Sequence, residues 1–157
     1  MIVVRPLAWH EFERVGEALP LHRFVDWRDD TTYLIAWDSS TPVGHVHIAW
    51  DETDLGVPEL QDFFVAPAYR GRGIGTVLTG TAEKLIRARG HETASLSVST
   101  DNSAARRLYE RLGYVRSARA PKRVTGTIRV RGGTLDVDDT LFYFEKRLVD
   151  FPAGRSS

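Results

Sequence analysis

Apolar and polar positions alternate or recur along most of the chain, and the period changes from segment to segment. Ile2, Val3 and Val4 form an apolar run broken by Arg5 and Pro6, which predicts a first strand. Trp9, Phe12, Val15 and Leu19 then recur at helical spacing, and Pro20 closes the segment. Residues 21–30 are rich in aromatics without a period and read as a loop or a short helix. Residues 31–38 are β-branched and aromatic and predict a strand; 39–44, "SSTPVG", reads as a turn. The next segment alternates, with Val46, Ile48 and Trp50 on one face and His45 and His47 on the other.

After a loop, "ELQDFFVAP" reads as another strand. Leu78, Ala82, Leu85 and Ile86 mark an amphipathic helix from Gly75 to Arg89, ended by Gly90. "TASLSVST" predicts a strand, "DNSAARRLYERLG" a polar-capped helix stopped by Gly113, and "YVRSAR" the start of a further strand. "VTGTIRVRGGTLDVDD" predicts a hairpin turning at Gly132-Gly133, and "TLFYFEKRL" a last strand. The order is mixed rather than strictly alternating, so the expected class is α/β of the α+β kind on one sheet. Residues 1–148 read as a single domain, and 149–157 as a flexible tail.

Composition narrows the function classes. With 157 residues the chain suffices for one real core. A hydrophobic content of 42% and a charged content of 27% argue against disorder. The formal net charge is zero, so no general pull toward nucleic acid or an acidic membrane is expected, and any anion site must be local. The absence of cysteine removes disulfides, thiolate zinc sites and a cysteine nucleophile. No apolar run has the length of a membrane span, and the N-terminus lacks a signal-peptide core, so the expected location is cytoplasmic.

The stretch "DFFVAPAYRGRGIGTVL" carries the most chemistry. It leaves a strand, passes a proline and places glycines at 71, 73 and 75 before a helix. The P-loop pattern is missing, and the dinucleotide fingerprint fails in both registers, with Thr76 or Leu78 where its last glycine belongs. A helix start with exposed N–H groups still suits an anion, and Arg70 and Arg72 add charge. Taken alone, the glycines fit equally well a tight strand-to-helix turn with solvated arginines.

The context resembles a known signature. "VAPAYRGRGIGTVL" is similar to the acetyl-CoA-binding segment of the GNAT (Gcn5-related N-acetyltransferase) superfamily, with Arg70, Gly73 and Gly75 at its defined places. "DNSAARRLYERLGY" resembles the second signature of that family, filled by Asn102, Ala105, Leu108, Tyr109, Gly113 and Tyr114. The resemblance implies a mostly antiparallel twisted sheet of about seven strands with about four helices, and a splayed pair, 59–65 and 93–99, that admits the cofactor. It implies a pantetheine arm against the backbone of Phe63, Phe64 and Val65. It implies a diphosphate on the amides from Gly71 through Arg72, Gly73, Ile74 and Gly75 to Thr76, and Asn102 as a cap that also touches the arm. No metal is expected: His45 and His47 share a face, but no third ligand is evident.

The implied chemistry is direct attack of an amine on a thioester. Tyr109 matches the tyrosine placed as general acid, although it also falls on an apolar stripe with Ala105, Leu108 and Leu112. Glu59 ranks first as general base and His47 second, with a water chain as the remaining option. Gln61 stands where relatives often carry glutamate. Ser97 replaces the glutamate of members that acetylate ribosomal-protein N-termini. Phe24, Trp27 and Tyr33 offer an aromatic wall for an acceptor, and Asp26, Asp29 and Asp30 offer attraction for a cation; the simpler expectation is that at least two of these aromatics cover the sheet. The function expected is an acetyl-CoA-dependent N-acetyltransferase acting on a small primary amine. The alternatives are a protein N-terminal or lysine acetyltransferase and a non-catalytic acyl-CoA sensor. The long C-terminal hairpin is expected to cover the site or to join two copies in a homodimer.

Overall fold

The computed structural model describes residues 1–24 and 26–148. The segment expected to be a tail, 149–157, lies outside the described residues. Strands β1 (Ile2–Pro6), β2 (Tyr33–Asp38), β3 (Thr41–Ala49), β4 (Glu59–Val65), β5 (Thr93–Ser99), β6 (Val115–Arg116), β7 (Lys122–Val130) and β8 (Gly133–Arg147) form one sheet. Its order is β1-β2-β3-β4-β5-β8-β6, with β7 paired to β8. Three α-helices accompany it: α1 (Phe12–Ala18), α2 (Ile74–Ala88) and α3 (Ser103–Arg111). Single 3₁₀ turns at Trp9–Glu11 and Pro67–Tyr69 complete the regular structure of the described residues.

The helix expected over 8–20 starts late because Glu11 organises the turn before it. Its carboxylate accepts from the Arg5 guanidinium at 2.7 and 2.8 Å and from the Ala8 N–H at 3.1 Å. The bonds from Arg5 hold that carboxyl at about 2. The turn expected over 39–44 is confined to Ser39 and Ser40, and Pro42 lies inside β3. Proline is tolerated there because the register with β2 shifts between Ala36 and Trp37, where a ladder hydrogen bond is not required. The expected hairpin and last strand form one continuous strand: β8 pairs β7 along 133–141 and β5 along 141–147.

The two faces of the sheet bury separate cores. On one face Leu34, Val46, Ile48, Leu60 and Leu96 pack against Ile74, Leu78, Ala82 and Ile86 of α2. On the other, Tyr33, Ile35 and Trp37 pack against Val15, Leu19, Leu21 and Phe24. Arg131, beside the hairpin turn, donates its backbone N–H to the His22 carbonyl at 3.0 Å and stacks over Phe12 at 5.5 Å. Among the described residues no helix is long and apolar enough to cross a membrane.

Every paired neighbour in the sheet is antiparallel except β4 and β5. Those two run parallel and meet only at Glu59 and Ser95, where the Ser95 N–H donates to the Pro58 carbonyl at 2.9 Å. Beyond that point no ladder joins them among the described residues. The sheet therefore opens as a wedge, in the strand pair where the resemblance implies one.

Candidate active site

The wedge begins with an irregular strand. In β4, Gln61 pairs with His47 and Phe64 with His45, so Asp62 and Phe63 together oppose Val46. This two-against-one arrangement is a β-bulge, and Asp62 adopts φ +50° there. A regular strand would carry Glu59, Gln61, Phe63 and Val65 on one face. The bulge instead turns Phe63 toward α2 and α3, while Phe64 stacks on His45 with centroids 5.6 Å apart. Asp62, which regular geometry would point away from Glu59, lies on the same face as Glu59 and Gln61. The signal for this was present in the sequence: along Glu59, Gln61, Phe63 and Val65 the pattern switches from polar to apolar midway.

The glycine run has two physical causes. Gly71 and Gly73 take φ +77° and +79°, a left-handed backbone that lets the chain turn from Pro67–Tyr69 into α2. A Cβ at either position would meet nothing within 4 Å, so the surface beside these residues is open. At Gly75 a Cβ would lie 2.9 Å from the Phe63 ring, so glycine is needed there for the ring to seat. Helix α2 has no side-chain cap, and its first intrahelical bond runs from Val77 N–H to the Gly73 carbonyl. The N–H groups of Ile74, Gly75 and Thr76 are thus presented outward at the positive end of the helix dipole.

A cavity of about 750 Å³ lies against this turn, lined by Phe63, Phe64, Val65, Arg70, Gly71, Gly73, Ile74, Gly75 and Thr76. Arg70 faces it, but its Nε also donates to the Val65 carbonyl at 2.9 Å. Arg72, expected beside the same anion, does not itself line the cavity; its guanidinium lies 5.0 Å over the ring of Tyr69, which does. Leu108 and Arg111 of α3 and Leu112 at its C-cap also line it, so part of the apolar stripe that carries Tyr109 faces this cavity.

Phe63 also lines a second cavity of about 280 Å³ inside the wedge, together with Glu59, Gln61, Ser97, Asn102 and Tyr109. The expected acid and base therefore face one space. Tyr109 sits edge-on to Phe63 and to Tyr114, at 6.0 and 6.3 Å. Burial alone pushes its hydroxyl up to about 12. Glu59 is 8% exposed, and burial raises its pKa against the opposing hydrogen bond from Gln61. Asn102 caps α3 by accepting from the Ala105 N–H at 3.0 Å, which leaves its amide nitrogen for other partners.

Gln61 connects the two residues ranked as base. Its Nε2 donates to Glu59 Oε1 at 2.7 Å, and its Oε1 lies 3.3 Å from His47 Nδ1. An ionised carboxylate can only accept, so the amide nitrogen faces Glu59 and His47 donates from Nδ1. Burial lowers the His47 pKa, which keeps the ring neutral with Nε2 as its acceptor atom. His47 and Arg23 also line a third cavity of about 460 Å³, and Arg23 borders the wedge as well. Of the three aromatics considered for an acceptor wall, Phe24 and Tyr33 are core residues at 6% and 1% exposure. Trp27 is 38% exposed, and Asp26 pairs with Arg129 of β7 at 3.7 Å.

The fold is thus one sheet split beside a bulged strand, with open helix-start amides next to the split. Residues 1–114 match the acetyltransferase (GNAT) family, and the chain belongs to it. A mycothiol acetyltransferase of Gordonia bronchialis is 36% identical over 109 residues, covering 68% of this chain and 32% of that protein. The corresponding enzyme of Geodermatophilus obscurus is 34% identical over 107 residues, 66% of this chain and 35% of its own. The chain thus spans about a third of the length of the curated relatives it matches. Among solved structures, the ribosomal-protein-S18-alanine N-acetyltransferase of Escherichia coli superposes with a TM-score of 0.67 at 16% identity, covering 98% of this chain and 97% of its own. At that identity the likeness concerns the fold.

Proposed function

We propose that the chain transfers an acetyl group from acetyl-CoA to a primary amine of a small molecule. The observation that carries this is the continuity of the site: the cavity at the α2 amides and the one containing Glu59 and Tyr109 share Phe63. An extended acyl-CoA fits such a path. Its diphosphate would lie on the N–H groups of Ile74, Gly75 and Thr76, where glycines leave the surface open, with Arg70 beside it. The arm would run along the side of Phe63, Phe64 and Val65 that faces away from β3, adding to β4 as a strand does, with Arg70 giving up its bond to the Val65 carbonyl. Acetyl-CoA supplies the thioester; the residues of the chain bind and orient it and move protons.

The amine nitrogen bonds to the acetyl carbon as the carbon–sulfur bond breaks. Glu59 receives the proton that the amine gives up, directly or through one water. Tyr109 gives its proton to the departing sulfur; its raised pKa keeps it protonated until that moment. Gln61 orients the Glu59 carboxylate. The cavity bordered by Arg23 and His47 offers about 460 Å³ for the rest of the acceptor, a volume suited to a small molecule. A small-molecule acceptor also agrees with the relatives, which are named for mycothiol acetylation.

The test is thiol release from acetyl-CoA across a panel of small primary amines. Amine-dependent release with formation of the N-acetyl product is expected. Release that no amine accelerates would contradict the proposal and favour the non-catalytic acyl-CoA sensor.

A further inference from the structure

The bulge that opens the wedge requires Asp62 in a left-handed conformation, which costs a non-glycine residue about 1 kcal/mol or more. Two groups far away in sequence bond to its carboxylate. Asp62 Oδ2 accepts from the Tyr33 hydroxyl at 2.5 Å and from the Arg23 backbone N–H at 3.2 Å. The same N–H donates to the Tyr33 oxygen at 2.8 Å, which closes a three-membered cluster. His22 Nδ1 stands 3.9 Å from the other carboxylate oxygen. Tyr33 is 1% exposed and wedged between the rings of His45 and His47, at 5.6 and 4.9 Å. Bonds to a charged acceptor held in such a setting are stronger than neutral ones.

We propose that Asp62 and Tyr33 are positioning residues: they lock the β4 bulge and fasten to it the loop that carries Arg23. Two consequences follow from the geometry. The bulge decides that Phe63, rather than Phe64, packs on Gly75 and Tyr109. The fastened loop holds the Arg23 side chain at the boundary of the wedge and the third cavity. The cofactor side and the acceptor side of the site are thereby tied to one carboxylate. For its ligand arm the inference rests on the acetyl-CoA reading above.

Three variants separate the cluster from the backbone. Asp62→Gly removes the carboxylate and relieves the left-handed residue, so strain cannot account for a loss. Tyr33→Phe removes only the hydroxyl. Asp62→Asn keeps an acceptor oxygen and tolerates φ near +50°. Amide hydrogen exchange of the free, full chain is read at 22–24 and 62–65, and acetyl-CoA affinity by calorimetry. Asp62→Gly and Tyr33→Phe are each expected to quicken exchange at those amides by about tenfold and to weaken acetyl-CoA by about five- to tenfold. The double variant should be no worse than either single one, because the partners act as a unit. Asp62→Asn should stay near the parent.

Unchanged exchange in both single variants overturns the inference. So does uniform acceleration across the whole sheet, or faster local exchange with parental affinity. If the parent chain binds no acetyl-CoA, the cofactor reading falls, and the exchange measurement still decides whether the cluster locks the bulge.

Discussion

Tyr109 has no hydrogen bond to its hydroxyl among the described residues, and burial is the single cause of its raised pKa. A phenol kept protonated in an apolar corner of the wedge suits an acid that acts once, on a departing sulfur. Tyr109→Phe is expected to lower kcat by about 10²-fold with acetyl-CoA affinity nearly unchanged, read by steady-state kinetics beside calorimetry. Full turnover by the variant would remove Tyr109 from the reaction. Glu59 makes a second prediction, this one in pH. Its folded pKa lies above the ordinary carboxylate value, so the acidic limb of kcat/KM should lie above that value too. Glu59→Gln should abolish the limb and lower the plateau. Because the folded chain binds this proton more tightly than the unfolded chain, stability falls as pH rises from the ordinary value through the raised one. Glu59→Gln should flatten that slope in pH-dependent thermal unfolding. Tyr109, Asn102 and the glycines were legible in the sequence because each belongs to a local motif. Asp62 was not, because its partners Tyr33 and Arg23 lie 29 and 39 residues away and only the fold joins them.

Strands and helices were mostly legible from their periods, and the misreadings have specific causes. Residues 39–44 look like one turn, yet only Ser39 and Ser40 turn; a register shift absorbs the missing N–H of Pro42 and β3 runs through it. "TLDVDD" and "TLFYFEKRL" look separate because the first half of β8 is exposed and polar and the second half apolar and more buried. One strand simply crosses from a solvated hairpin into the core. The turn into α2 allows an element-scale test, because its glycines serve different ends. Gly73→Ala meets open space but forces an alanine into φ +79°, at a cost of about 1–2 kcal/mol. Gly75→Ala keeps a helical backbone and instead presses on the Phe63 ring at 2.9 Å, a packing cost of about 1–3 kcal/mol. Thermal unfolding should show both losses. Phe63→Leu should restore stability to Gly75→Ala and not to Gly73→Ala; rescue of neither or both would contradict this division of roles.

At the scale of the molecule, one topological feature organises the rest. Among the described residues a mostly antiparallel sheet contains a single parallel neighbour pair, joined at Glu59 and Ser95 and open beyond. Helix α2 starts beside the opening, α3 closes it, and the hairpin of β7 and β8 reaches the loop before β2. The family was legible from two motifs in order; the wedge between them was implied by that resemblance and lies where it was expected. The cavity proposed for the acceptor was the least legible part. It is assembled from Arg23, Asp26, Arg28, Asp30 and Thr31, the end of β3 with the residues after it, and Arg129; Asp26 and Asp30 stood out in the sequence as carboxylates, but only the fold brings these distant segments together. The central claim is that this opening binds acyl-CoA, and calorimetry with acetyl-CoA beside CoA, ATP and NAD tests it most directly. Binding of acetyl-CoA and CoA with ATP and NAD excluded is the predicted result. No binding of the CoA compounds, or equal binding of all four, would contradict it.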